Sequence, residues 1–175
     1  MSGSAPLSNW THAAADIPDR GLSRERAVSE GECAELAGAL PLLSVDKLVA
    51  TYRITSIPGG GWRLIGKMIA DVVQSCIVTL EPVPAHLEET FDVEFWQDAP
   101  ASESGGDLSV LQGPDIEPLQ GNAIAAGRIV FETLAAGLDP YPRMGDAAFN
   151  WTEPAASDEK KSSPFAVLAK LKGKD

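Results

Sequence analysis

Cysteine is almost missing from this chain. Two residues, Cys33 and Cys76, stand among 175, too few for a disulfide framework, and such usage points to a reducing, cytoplasmic setting. Histidine is as scarce. A tetrahedral zinc site would need His12 and His86 together with both cysteines, drawn from four separate places. No metal and no cofactor is therefore expected. No apolar run approaches the roughly 20 residues of a membrane-spanning helix. The opening MSGSAPLSNW lacks the basic cluster and apolar stretch of a secretory signal, and no membrane partner is expected.

Catalytic signatures are lacking too. There is no Gly-x-Ser-x-Gly elbow, and the glycines of PGGGW are not followed by Lys-Ser or Lys-Thr. They lie between two strand patterns, which makes them a hairpin turn rather than a phosphate loop. Glu88 and Glu89 are neighbours on a strand pattern, so they point to opposite faces and cannot share a proton. Asp92 and Glu94 lie on Glu88's face, where a solvated sheet surface accounts for them. A magnesium-dependent nuclease would have to gather carboxylates from a Gly/Ser-rich loop, a poorly preorganised setting. The expectation is a non-enzymatic protein without a small-molecule substrate.

Positive charge is absent from one long stretch. Between Glu81 and Gln120 there are ten Asp and Glu and no Lys or Arg, in a chain whose net charge is −11. Residues 1–80 nearly balance, with seven basic against eight acidic side chains, and five lysines follow from Lys160 onward. Such a body repels phosphate at long range, which argues against broad contact with duplex nucleic acid. A basic tail remains free to touch phosphate or an acidic protein.

What is present is a set of readable periods. LSNWTHAAADIP alternates loosely and reads as a first strand ended by Pro18. SEGECAELAGAL reads as a helix capped by Ser29 with Glu32 completing a capping box, and Cys33, Leu36 and Leu40 share a face. VDKLVATYRITSI places Leu48, Tyr52 and Ile54 on one side and Val49, Thr51 and Arg53 on the other. WRLIGKMIADVVQSCIVTL resumes the extended pattern after the glycines, with Gly66 marking a bulge or bend and Cys76 a small apolar side chain in the strand. PAHLEETFDVEFW has the clearest period of two, with Leu87, Glu89, Phe91, Val93 and Phe95 on the core side.

Residues 97–120 are loop-like, with IEPL a brief extended piece, and NAIAAGRIVFETLAAGL is the main helix, capped by Asn122 and stopped by Asp139-Pro140. SSPFAVLAKLKGKD carries a short helix with Phe165, Leu168 and Leu171 on one face. The fold expected is α+β: a mostly antiparallel sheet, open or barrel-like, with a few helices. It is divided into a domain over 1–143, containing the acidic loop at 97–120, and a linker with a short amphipathic C-terminal helix over 144–175.

VVQSCIVTLEPVPAHLEETFDVEF, LAAGLDPYPR and SPFAVLAKLKGK together resemble the YceD family of large ribosomal RNA subunit accumulation proteins, from about residue 45 to the C-terminus. The ending is the most specific part and the acidic loop the least alike. Many relatives read Cys-x-x-Cys before Leu-Glu-Pro. Here Cys76, Leu80, Glu81 and Pro82 match and Thr79 departs, so no zinc site is carried over. The resemblance implies a cytoplasmic bacterial factor needed for accumulation of 23S ribosomal RNA and for large-subunit biogenesis, with no catalytic residues.

Its partner is then a ribosomal protein or ribosomal RNA of the large subunit. An acidic body fits a chaperone for a basic ribosomal protein. Direct RNA contact is the alternative, with Trp10, Trp62, Trp96, Trp151 and Tyr141 for stacking and Arg143 and the terminal lysines for phosphate. The candidate binding residues are Tyr141, Arg143, Phe165, Leu168, Lys170, Leu171 and Lys172.

Overall fold

The computed structural model describes residues 5–97 and 114–145. In chain order these form β1 (Thr11–Ala13), β2 (Leu22–Ala27), α1 (Glu30–Ala39), β3 (Leu42–Ile57), β4 (Gly61–Ser75), β5 (Pro82–Trp96), β6 (Asp115–Pro118), β7 (Ala123–Ala125) and α2 (Ala126–Gly137). Five strands make one sheet in the order β2-β3-β4-β5-β6, and β1 and β7 make a separate ribbon. All neighbours are antiparallel except β5 and β6. The fold is α+β as expected, with an open sheet: β2 and β6 are edges, so no barrel closes. The C-terminal segment with its expected helix lies outside the described residues.

The long meander follows from the period of two. β3, β4 and β5 contain 16, 15 and 15 residues; at about 3.3 Å per residue they run roughly 50 Å, which makes the two ends of the sheet separate surfaces. Gly59 and Gly60 hold φ of 95° and 89° at the β3–β4 turn, where a Cβ would be strained. On the core side Leu48, Ala50, Tyr52 and Ile54 meet Leu64, Met68, Ala70 and Val72, then Phe91, Val93 and Phe95, all buried. Leu7, Trp10 and Ile124 join this core together with Leu36 of α1 and Ile129, Val130 and Leu134 of α2. Among the described residues the opposite side carries no helix, and it leaves Ile65 and Ile116 exposed.

Several expectations change. The opening segment is not one strand: Leu7 adopts a φ of 58°, only Thr11–Ala13 pairs with β7, and a 3₁₀ turn over Ala14–Asp16 follows. The Trp10 ring anchors this segment in the core, and backbone contacts there displace regular pairing. Gly66 makes no bulge. It stands in register between Tyr52 and Phe91, and the irregularities of β3 lie at Leu42/Ser44 and Val45/Lys47.

Helix α1 is capped as expected: Glu32 N–H donates to Ser29 Oγ at 3.3 Å and Ser29 N–H to Glu32 Oε2 at 2.8 Å. Helix α2 starts later than Asn122, which sits in a 3₁₀ turn at φ 56°. Ala125 holds the N-cap position without a side-chain bond. The first helical N–H groups are met from elsewhere, Gly127 donating to Trp10 O at 2.9 Å. A Cβ on Gly127 would run into the Leu7 carbonyl, so the close crossing of the N-terminal segment over α2 requires glycine there.

Candidate binding surface

At the end of the sheet opposite the β3–β4 turn, residues 76–81 wrap around a thiol. β4 ends at Ser75, so Cys76 lies in a turn and not in the strand. The turn is closed by Cys76 N–H to Glu81 O at 2.8 Å and Leu80 N–H to Cys76 O at 2.9 Å. Ser75 Oγ donates to Leu80 O at 3.3 Å. Inside it, Thr79 N–H donates to Cys76 Sγ at 3.5 Å. Cys76 has no exposed surface, yet hydrogen bonds govern it more than burial does. The Thr79 side chain first, then backbone groups of Met144, Thr79 and Val78, lower its pKa to about 7 against the upward push of desolvation. The thiol is thus an acceptor around which backbone donors gather, a role its apolar flanks do not reveal. Among the described residues no group of three or more His, Cys, Asp and Glu is placed to hold a metal ion.

Wrapping costs strain on the outside. Leu80 is held at φ 63°, a conformation that disfavours a branched side chain by about 1 kcal/mol, and it is 76% exposed. Tyr141 lies in the segment tied to this turn, because Ile77 N–H donates to Pro142 O at 3.0 Å. Its own pose is set by Asp139, whose Oδ1 accepts from Tyr141 N–H at 2.8 Å, and by the prolines on either side. Gln74, buried, donates to Asp139 O at 2.8 Å and pins the segment to β4. Tyr141 is 69% exposed and Ile77 45%. Ile77 and Leu80 on the turn and Tyr141 on the segment bonded to it are the exposed apolar side chains here, together termed the knob, and Glu81, Asp139 and Arg143 are exposed in the same two segments.

Of the expected site residues, Tyr141 and Arg143 therefore stand in one exposed segment beside the Cys76 turn, whereas Phe165, Leu168, Lys170, Leu171 and Lys172 lie outside the described residues, as does Trp151. The remaining tryptophans are not free stacking faces. Trp10 is wholly buried and donates its indole N–H to Glu32 Oε1 at 3.0 Å. Trp62 packs against the core. Trp96 lies against Gly59 and Gly61 and donates to Glu94 Oε2 at 3.1 Å.

Sequence reading missed Leu80 and Ile77, which sit in a run of strand-like residues. Their one local signal is Pro82 directly after the turn, since proline restricts the residue before it, Glu81. The histidines also find partners across strands. His86 Nδ1 is 2.6 Å from Asp71 Oδ1, and His12 Nε2 is 2.8 Å from the Tyr52 hydroxyl.

No helix among the described residues is long and apolar enough to cross a membrane. Comparison of the chain with protein-family models, curated proteins and solved structures returns no match.

Proposed function

We propose that this chain is a cytoplasmic, non-enzymatic factor that supports accumulation of 23S ribosomal RNA and assembly of the large ribosomal subunit by binding a ribosomal protein. The resemblance to the YceD family motivates the reading. The observation that carries it is an exposed Leu80 in a strained backbone, on a turn bonded to the segment that exposes Tyr141. A fold gains nothing from a strained leucine in water, whereas tyrosine and apolar anchors ringed by charge are what a protein interface uses. The acidic rim and the net charge of −11 complement a basic ribosomal protein and speed its approach.

The test is calorimetric titration of the full chain with purified large-subunit ribosomal proteins. One or more should bind with micromolar or better affinity, and Leu80→Gly and Tyr141→Ala should each weaken that binding at least tenfold. Retained affinity in both variants would overturn the assignment of the surface. Cleavage of labelled ribosomal RNA by the purified chain with magnesium would overturn the non-enzymatic reading.

Direct RNA contact is favoured by a different observation. A group of arginines on the β2 edge has no carboxylate partner among the described residues.

A further inference from the structure

Strand β2 reads LSRERA, and its register puts Arg24 opposite Tyr52 and Arg26 opposite Ala50. Directly opposed residues share a face, so both arginines stand on the core side of the sheet, at its open edge. Neither is drawn inward: Arg24 is exposed and Arg26 half-buried. The Arg26 guanidinium lies 4.7 Å from the centroid of the Trp10 ring, held over it by a cation–π contact, and one of its N–H groups donates to Asn9 O at 3.5 Å, leaving its remaining donors for a ligand. His12 and Tyr52, joined at 2.8 Å, sit between the arginines and the core. Arg53 of β3 faces the opposite side and donates to Arg20 O at 2.6 Å and to Ser23 Oγ at 3.4 Å, so it lies outside this row.

The chain has 25 acidic side chains against 14 Lys and Arg, so a free arginine is not short of candidates for pairing. Yet the ion pairs of the described residues use Arg63, Arg128 and His86, and none uses Arg20, Arg24, Arg26 or Arg53. Glu25 alternates to the opposite face. Glu32, bonded to the same Trp10 that Arg26 covers, is occupied by Asn9, Trp10 and Ser29, from all of which it accepts. The local field is correspondingly positive: burial first, then Arg24 and Arg26, hold His12 below its usual pKa.

We propose that the β2 edge binds the phosphate backbone of single-stranded RNA, with Arg24 and Arg26 gripping phosphates and His12, held from beneath by the buried Tyr52 hydroxyl, completing the contact. Guanidinium forks match phosphate oxygens in a bidentate way. Alternate residues of a strand stand about 6.6 Å apart on one face, a ladder suited to successive phosphates of an extended chain rather than to one small anion. A narrow edge on a body of net charge −11 admits one strand and repels the breadth of a duplex. Bound phosphate offsets the repulsion that Arg24 and Arg26 exert on His12, and so acts to raise its pKa. This site is separate from the Ile77–Leu80–Tyr141 knob, so either can fail alone.

With two histidines in the chain, nuclear magnetic resonance of the imidazoles is a clean reporter. Titrating the full chain with a short oligouridylate should shift the His12 ring signals and raise the His12 pKa, while the ring signals of His86, on β5 beside Asp71, do not move on adding RNA. Affinity should fall with salt at a log–log slope of about −2, as three phosphate contacts on a single strand predict. Arg24→Gln with Arg26→Gln should weaken binding at least tenfold and flatten the slope by about 1.4. Arg24→Gln alone serves as the fold-preserving variant, since that side chain bonds only its neighbour's carbonyl, Ser23 O. A His12 signal unmoved by RNA at low salt would overturn the proposal. So would equal binding of polyglutamate, which would make the edge a site for an acidic protein.

Discussion

Trp10 donates its indole N–H to Glu32 Oε1 at 3.0 Å across a sequence separation of 22 residues. That one bond ties the N-terminal segment to the capping box of α1, because the same carboxylate accepts from Ser29 N–H through Oε2 at 2.8 Å. One side chain therefore starts a helix, satisfies a buried indole and holds the segment that carries His12 beside the arginine edge.

Glu32 should make the fold acid-sensitive. Partial burial raises its pKa, but bonds from Ser29, Asn9 and Trp10 outweigh that and bring it from 4.5 to about 2. A depressed carboxylate contributes stability that is complete above 4.5 and lost as pH falls toward about 2. Urea unfolding of Glu32→Gln should show a loss of about 1–2 kcal/mol at neutral pH. The gap from the parent should close between pH 4.5 and 2. A constant gap across that range would refute the linkage.

Gly66 should not accept a methyl group. A Cβ there would stand 2.6 Å from Phe91 Cζ and 2.7 Å from Thr51 O and Tyr52 Cβ. The ring of Phe91 can turn away but the carbonyl of Thr51 cannot. Gly66→Ala should cost about 2 kcal/mol in chemical unfolding, and adding Phe91→Leu should recover only part of it. Full recovery would mean that the aromatic alone demands the glycine.

Leu80→Gly should leave the fold at least as stable as the parent. Relief of the left-handed conformation at φ 63° is worth about 1 kcal/mol, set against up to about 1 kcal/mol of extra chain entropy. The thermal midpoint should hold or rise while the ribosomal-protein affinity falls. A large drop in the midpoint would make Leu80 a packing residue and remove the reason to see a binding knob.

The two thiols should titrate apart. Cys76 ionises near pH 7 because Thr79 and nearby backbone donors favour its thiolate. Cys33 is pushed above its usual value by burial and then by Glu32, Asp46 and Glu30. Thiolate absorbance in a Cys33→Ser chain should show one step near 7, and Thr79→Val should move it upward. An unmoved step in that variant would assign the effect to the backbone alone.

Helix caps, strand alternation and the glycine turn are local physics, and the residues state them outright. Ser29 with Glu32, the core phase of Phe91, Val93 and Phe95, and the hairpin at Gly59–Gly60 each depend on neighbours in the chain. The same holds for Tyr141 as an exposed aromatic between prolines. For Gly66 and Asn122, whose local pattern suggests a bulge or bend and a cap, the deciding contacts come from other strands or from the Leu7–Trp10 segment, which no local period reports.

The chain by itself determined an α+β body of long antiparallel strands and an acidic balance, since both are sums over residues and their spacings. Only the tertiary structure decided which arginines have no carboxylate partner among the described residues, which leucine is left strained in water, and which donors surround the thiol of Cys76. Those outcomes depend on distances between residues far apart in sequence, and on the low dielectric between them, and neither exists until the sheet is formed.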